Sequence, residues 1–400
     1  MNETFHAIAA KYKDEIVQTA SELIQINSQS LHEKELAEYV AAKMRKLGYD
    51  DVTVDAYGSV FGTVKGTGGG SSVMLNCHMD VVDAGDPARW KHPPYSGEIA
   101  EGRIWGRGAS DTKGTFAIQL YVPVMLRELG MLPKGDIVVA GVVAEEIAGF
   151  GAMMHTKENR MLTDYAIVGE ATENDISIGS RGRCCPYITI TGKSCHASLP
   201  HVGHNPFDYL KKLLPELDTV QMGSDELFGS STMSVTKIES SEKGTNIIPN
   251  EVVVYIDYRQ TGDDSEANVR AKIQAVLDRI QVPGVSAKVE ILYFPLTTYT
   301  GVDGEGYQGE YPFTVSAEEP YIQQAKAAIE AAVGRQIRTK PWAFATDTGH
   351  YTAKGVKCLG YSPAEIKLCH TTEDSIDIAM MEEGMVGYLA VASALANNES

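Results

Sequence analysis

The chain has 400 residues, 43% hydrophobic and 22% charged, an ordinary globular composition and more chain than one hydrophobic core usually supports. With 53 acidic against 35 basic residues the formal net charge is −18, which argues against nucleic acid or an anionic membrane surface as partner. Six cysteines, Cys77, Cys184, Cys185, Cys195, Cys358 and Cys369, form no CxxC pair and read as reduced thiols of a cytoplasmic protein.

The opening stretch is charged and amphipathic, without the apolar segment of a secretion signal, and no uninterrupted apolar run approaches the roughly 20 residues of a membrane span. Residues 3–26 carry Ile8, Tyr12, Ile16, Ala20, Leu23 and Ile24 at helical spacing. Ser30-Leu31-His32-Glu33 reads as a capping box that opens a second helix through Leu47. Short strands are expected at 52–54, 60–64 and 73–75, the last running into Cys77-His78. The tract Gly66-Thr67-Gly68-Gly69-Gly70 lacks the Lys-Ser/Thr of a phosphate loop and reads as a flexible hairpin turn. A helix over 114–130 follows the turn that holds Asp111. The runs 136–144 and 165–169 are continuously apolar, as in strands buried on both faces of an α/β sheet, and Glu145-Glu146 and Glu170 follow them directly. Ligands in open α/β sheets gather at such strand ends.

Near Ser180 the pattern changes. A strand over 186–191, a helix over 206–217, strands over 232–238 and 252–259, a helix over 265–280 and a strand over 287–292 give the β-α-β-β-α-β order of a ferredoxin-like unit. A helix over 317–333 and a closing helix over 380–397 resume the first pattern. The expectation is an α/β protein: a large catalytic domain (1–179 and 296–400), with a mixed sheet covered by helices, and an inserted ferredoxin-like domain (180–295).

His78, Asp80, Asp111, Glu145, Glu146, Glu170 and His370 all fall at strand ends or in glycine-rich turns, late or early in the large domain. Two imidazoles and several carboxylates suit a borderline divalent ion such as zinc, cobalt or manganese, and there are donors enough for two. His78 is a ligand, and Asp80, on the same side of an extended segment, is placed to accept its ring N–H. Asp111, with two oxygens in a turn free to adopt unusual backbone angles, can bridge two ions. Side chains of the adjacent pair Glu145-Glu146 diverge, so one can bind metal while the other stays free for proton transfer. Counting Asp111, Glu146 and Glu170 against two divalent ions leaves one positive charge over, which favours a hydroxide between the ions and keeps Glu145 as general base. His350, after Asp347-Thr348-Gly349, is the alternative to His370 as the late ligand.

The stretches Asn76-Cys77-His78-Met79-Asp80, 105–114, Ala144-Glu145-Glu146 and Val168-Gly169-Glu170-Ala171-Thr172 resemble the dizinc aminoacylase and carboxypeptidase G family, which includes N-acetylornithine deacetylase, succinyl-diaminopimelate desuccinylase and several di- and tripeptidases. The resemblance spans essentially the whole chain. It implies His78, Asp111 and Glu170 on one zinc, Asp111, Glu146 and His370 on the other, Glu145 as base and Asp80 as the residue that orients His78. It also implies an inserted lid and homodimerisation domain in which His196 stabilises the oxyanion, Asn246 binds substrate and Arg259 takes the substrate carboxylate in a bidentate fork. Two positions depart from the family: Ala171 stands where a proline is usual, and His370-Thr371-Thr372-Glu373-Asp374 lacks the common Asn-Glu pair. The expected activity is hydrolysis of the amide of an N-acyl amino acid, by a metal-bridging hydroxide. A di- or tripeptidase is the nearest rival, and a metal-stabilised binding protein the rival of a different class. A dehydrogenase is disfavoured, as no G-x-G-x-x-G opens a βαβ unit.

Overall fold

The apolar run 136–144 forms the strand Ile137–Val142, every residue of which is buried. The computed structural model describes residues 2–261 and 264–399. In it Val73–His78 pairs in parallel with Ile137–Val142 on one side and Tyr165–Val168 on the other, and Lys357–Tyr361 extends the parallel set. Antiparallel strands flank this centre, Val60–Val64 and then Asp51–Val54 at one side and Ile176–Ser180 at the other. The sheet is therefore mixed, with its parallel, doubly covered strands in the middle.

Gly114–Glu128 and Ile378–Ala396 cover the sheet, and Asn2–Gln25 and Pro320–Val333 pack on Ile378–Ala396. The helix Ile378–Ala396 is long and apolar enough, by length and composition, to cross a membrane, although Glu382 and Glu383 interrupt its apolar run. Its Met381, Met385, Tyr388, Leu389 and Val391 are buried in the core of the large unit. All six cysteines are free thiols.

Two local expectations change. The 66–70 tract is not a hairpin turn, because Ile137–Val142 lies between the two strands it joins. Its Thr67 and Gly68 amides donate to the carbonyls of Pro133 and Lys134, and a Cβ on Gly135 would come within 1.8 Å of the Ser71 carbonyl. Ser30 and Glu33 make no capping box: the helix Lys34–Lys46 starts without a side-chain cap, and both side chains turn toward the strand ends instead.

The chain divides into two units, one of Met1–Ser180, Pro295–Gly306 and Thr314–Ser400, the other of Arg181–Phe294 and Tyr307–Phe313. Tyr307–Phe313, which the sequence pattern assigns to the large domain, joins the small unit because Arg183 and Glu310 exchange both backbone hydrogen bonds, each 2.8 Å. In the small unit the antiparallel strand order is Thr232–Ser240, Glu251–Gln260, Pro186–Thr191, Ser286–Ile291. This is the split β-α-β arrangement, with Pro206–Leu217 and Glu266–Arg279 as its helices. Asn205 and Ser265 cap those helices through their side chains. Thr232–Ser240 is an almost wholly exposed edge strand.

His155, on the helix Phe150–Lys157, is buried between the rings of Phe61 and Tyr351, with centroids 5.3 and 5.1 Å away. Burial, with His350 nearby, pushes its pKa down to about 3 from 6.5. The unfolded chain therefore takes up this proton first, so the neutral ring's contribution is complete above pH 6.5 and is lost as pH falls toward 3. In urea titrations, His155→Phe should remove up to about 1.4 kcal/mol per pH unit from the fall in stability below pH ~6.5. Equal slopes in parent and variant would contradict this.

Candidate metal centre

The apolar strand Val73–His78 ends by aiming His78 at two carboxylates: its Nε2 lies 2.9 Å from Asp111 Oδ1 and 3.5 Å from Glu170 Oε1. His370, two residues beyond the turn Ile366–Leu368, sits in the left-handed region at φ 60°. Its Nε2 lies 3.0 Å from Asp111 Oδ2 and 2.9 Å from Glu146 Oε1. Asp111 thus turns one oxygen to each histidine. Tetrahedral zinc with bonds of ~2.0–2.1 Å spaces its ligand atoms by roughly 3.3 Å, so both groups of donors are set at a spacing suited to such an ion. The donor set fits two divalent cations sharing one carboxylate. Glu145 comes within 4.8 Å of His78 and Glu170, while its carboxylate makes no hydrogen bond among the described residues.

Asp111 is held from below by a residue that the sequence reading did not select. Asp374, fully buried, accepts the amides of Gly108 (2.7 Å) and Ser110 (2.9 Å) and the Arg107 guanidinium (3.2 Å). Gly108 is required there: its φ is 85°, and a Cβ would lie 2.6 Å from Val81. Burial pushes the Asp374 carboxyl up to about 7 against those donors. An acid four residues after His370, in place of the family's Asn-Glu pair, is the signal that points to it. On the other side of Asp111, Lys113 is fully buried and donates to the Ile26 carbonyl at 2.7 Å, and burial lowers its pKa to about 7.

Asp80 ties the segment of Ser30 to the Glu145-Glu146 turn. Its Oδ1 accepts the Glu145 amide at 3.0 Å and its Oδ2 the Glu146 amide at 3.2 Å, with the Ser30 hydroxyl donating to Oδ2 at 2.6 Å. The nearest acceptor for His78 Nδ1 is the main-chain carbonyl of Asp80, at 2.9 Å, and Oδ1 is 3.5 Å away. At Glu170 the substitution of Ala171 for proline is accommodated: Ala171 is buried and its carbonyl accepts the Trp342 indole N–H at 2.9 Å.

The electrostatics follow from crowding acids out of water. Burial, then the charge of Glu170, raises the Glu145 carboxyl well above the usual carboxylate range, and burial with Asp111 does the same to Glu170. Burial alone would lower His78, but the Asp111 and Asp80 carboxylates override it and raise it well above 6.5. Asp111 and Glu146 lift His370 to about 10. The cluster draws in positive charge, whether protons or metal ions. It opens on a cavity of about 300 Å³ whose remaining wall is Phe344, Ala345, Ile366 and Cys369.

His350 is buried in the helix Thr348–Thr352, beside His155. His196, Asn246 and Arg259 belong to the small unit. Cys195–His196 pairs with Ile247–Ile248, and the Ala197 amide donates to the Asn246 carbonyl at 2.9 Å, so those two residues are neighbours. His196 Nδ1 lies 2.7 Å from the Ser198 hydroxyl and 3.2 Å from the Ser198 amide. Arg259 is bound to Asp257, its Nε 2.7 Å from Oδ1, and Arg183 shares the same carboxylate.

Fold and donor set together define a metal-dependent hydrolase of the mixed α/β class. The chain belongs to peptidase family M20/M25/M40, whose model matches residues 74–394. It is 26% identical over 383 residues to YgeY of Escherichia coli (strain K12), an uncharacterized protein, with 93% of each chain covered. It is 31% identical over 285 residues to a succinyl-diaminopimelate desuccinylase of Paracoccus denitrificans, covering 67% of this chain and 69% of that one. Among solved structures, the YxeP protein of Bacillus subtilis, described as a dinuclear metal binding peptidase, superposes with a TM-score of 0.69 at 14% identity, over 97% of this chain and 99% of that one.

After cobalt loading and dialysis, His370→Ala should lower the metal content from about two ions per chain toward one, whereas His350→Ala should retain both. The reverse pattern by elemental analysis would make His350 the ligand.

Proposed function

We propose that this protein is a two-metal amidohydrolase that cleaves the amide bond of N-acyl amino acids. The observation that carries the reading is the division of Asp111 between His78 and His370, with Glu170 and Glu146 completing the two groups. Zinc, or cobalt or manganese, held by His78, Asp111 and Glu170 on one side and by Asp111, Glu146 and His370 on the other, would supply Lewis acidity to the scissile carbonyl and acidify water.

The residues do the rest. Glu145 takes the proton of the attacking water and delivers it to the leaving nitrogen, so that the C–N bond breaks to a carboxylate and an amine. Asp80 fixes the direction of Glu145 through its amide and supports His78. His196 donates a ring N–H to the developing oxyanion. Asn246 and Arg259 bind the substrate's polar groups, Arg259 giving up part of its pairing with Asp257 to take a carboxylate.

A short peptide is the second reading, favoured by the peptidase family. We assign the small unit the roles of lid and homodimer surface, with the exposed strand Thr232–Ser240, which presents Val235 and Ile238, as the pairing edge.

A panel of N-acetyl and N-succinyl amino acids beside unblocked di- and tripeptides separates the readings: turnover of blocked substrates alone is expected, and turnover of free peptides alone would replace the deacylase with a peptidase. Glu145→Gln should lower kcat by roughly 10²–10⁴ while the protein keeps its metal, and undiminished turnover would refute the base. Light scattering should give about twice the 43.3 kDa chain mass, falling to one chain in Val235→Lys/Ile238→Lys, and a monomeric parent would contradict the dimer.

A further inference from the structure

Glu33 lies far from the cavity in sequence and plays no part in the proposed chemistry, yet its carboxyl is almost completely buried. Its Oε1 accepts two amides, Leu31 and Ala144, each at 3.0 Å. Its Oε2 is buried with no hydrogen-bond partner among the described residues. A carboxyl group that leaves one oxygen unsatisfied is a poor device for stability alone, since a buried polar atom without a partner costs free energy. Its geometry explains its presence better. Ala144 stands at φ 52°, a backbone conformation that L side chains rarely adopt, and it immediately precedes Glu145-Glu146. The amides of 144, 145 and 146 are taken in succession by Glu33 Oε1, Asp80 Oδ1 and Asp80 Oδ2.

The same short segment reaches the other ligand loops. Ser30 Oγ donates to Asp80 at 2.6 Å, Ser28 Oγ donates to the Met79 carbonyl at 2.7 Å, and the Ile26 carbonyl receives the buried Lys113, two residues after Asp111. Residues 26–33 thus touch the supports of His78, Asp111 and the Glu145-Glu146 turn. We propose that Glu33 is a positioning residue that fixes the Ala144–Glu146 backbone, and through it Glu146 and Glu145, with segment 26–33 as the frame. The proposal rests on the two-metal reading of the site.

Cobalt titration of the full chain, followed by calorimetry and visible absorption, tests it without a substrate. Glu33→Ala should weaken one of the two cobalt ions by about 10–100-fold and leave the other near the parent value, as loss of a residue supporting a ligand does. Glu33→Gln, which keeps an oxygen at the Oε1 position, should restore binding. With a substrate from the panel, Glu33→Ala should lower kcat by a similar factor with KM within about twofold. Should Glu33→Ala fail to fold, Ser30→Ala, which removes one support of Asp80, should weaken the same ion by a smaller factor. Parent-like binding of both ions in the folded variant, or failure of Gln to rescue, would overturn the role of Glu33. A parent protein that takes up fewer than two ions would instead overturn the two-metal reading, and the proposal with it.

Discussion

Like charges held together out of water are the constraint on which this structure depends. Asp111, Glu145, Glu146 and Glu170 converge with two imidazoles at the C-terminal edge of the parallel strands, and burial makes each additional negative charge more expensive. No packing of neutral side chains offsets that cost. Only positive charge at the centre does, and Asp111 faces two candidate places for it, with Oδ1 toward His78 and Oδ2 toward His370.

Much of the surrounding polar structure serves to keep those places fixed. Asp374 binds the Gly108 and Ser110 amides that lead into Asp111, Asp80 binds the amides of Glu145 and Glu146, and Glu33 binds that of Ala144. Buried carboxyls that grip backbone amides hold a turn more firmly than packing does, because each bond is directional and short. Two of them stand beside backbone in the left-handed region, at Ala144 and Gly108. His78, the last residue of a regular strand, needs fewer such supports.

The legible part of the molecule was the part written in local pattern. Continuous apolar runs marked the central strands, and the acids and histidine directly after them marked the edge where donors meet, because strand direction alone carries that information. What stayed hidden depends on partners distant in the chain. Glu33 and Ser30 spell a capping box locally, but their partners are Ala144 and Asp80. Asp374 grips amides more than 260 residues earlier, as its separation from Gly108 shows. The glycine tract reads as a hairpin until Ile137–Val142 is seen to lie between the strands it joins, and Tyr307–Phe313 joins the small unit through backbone bonds to Arg183 that no composition reveals. Arg259, to which the family resemblance gives a substrate carboxylate, is bound by Asp257 two residues away.

Electron paramagnetic resonance of the manganese-loaded protein tests most directly whether one carboxylate joins two ions. With Asp111 shared between them, two manganese ions per chain should give an exchange-coupled spectrum, and Asp111→Asn should collapse it to that of isolated ions. An uncoupled single-ion spectrum from the fully loaded parent would contradict the account.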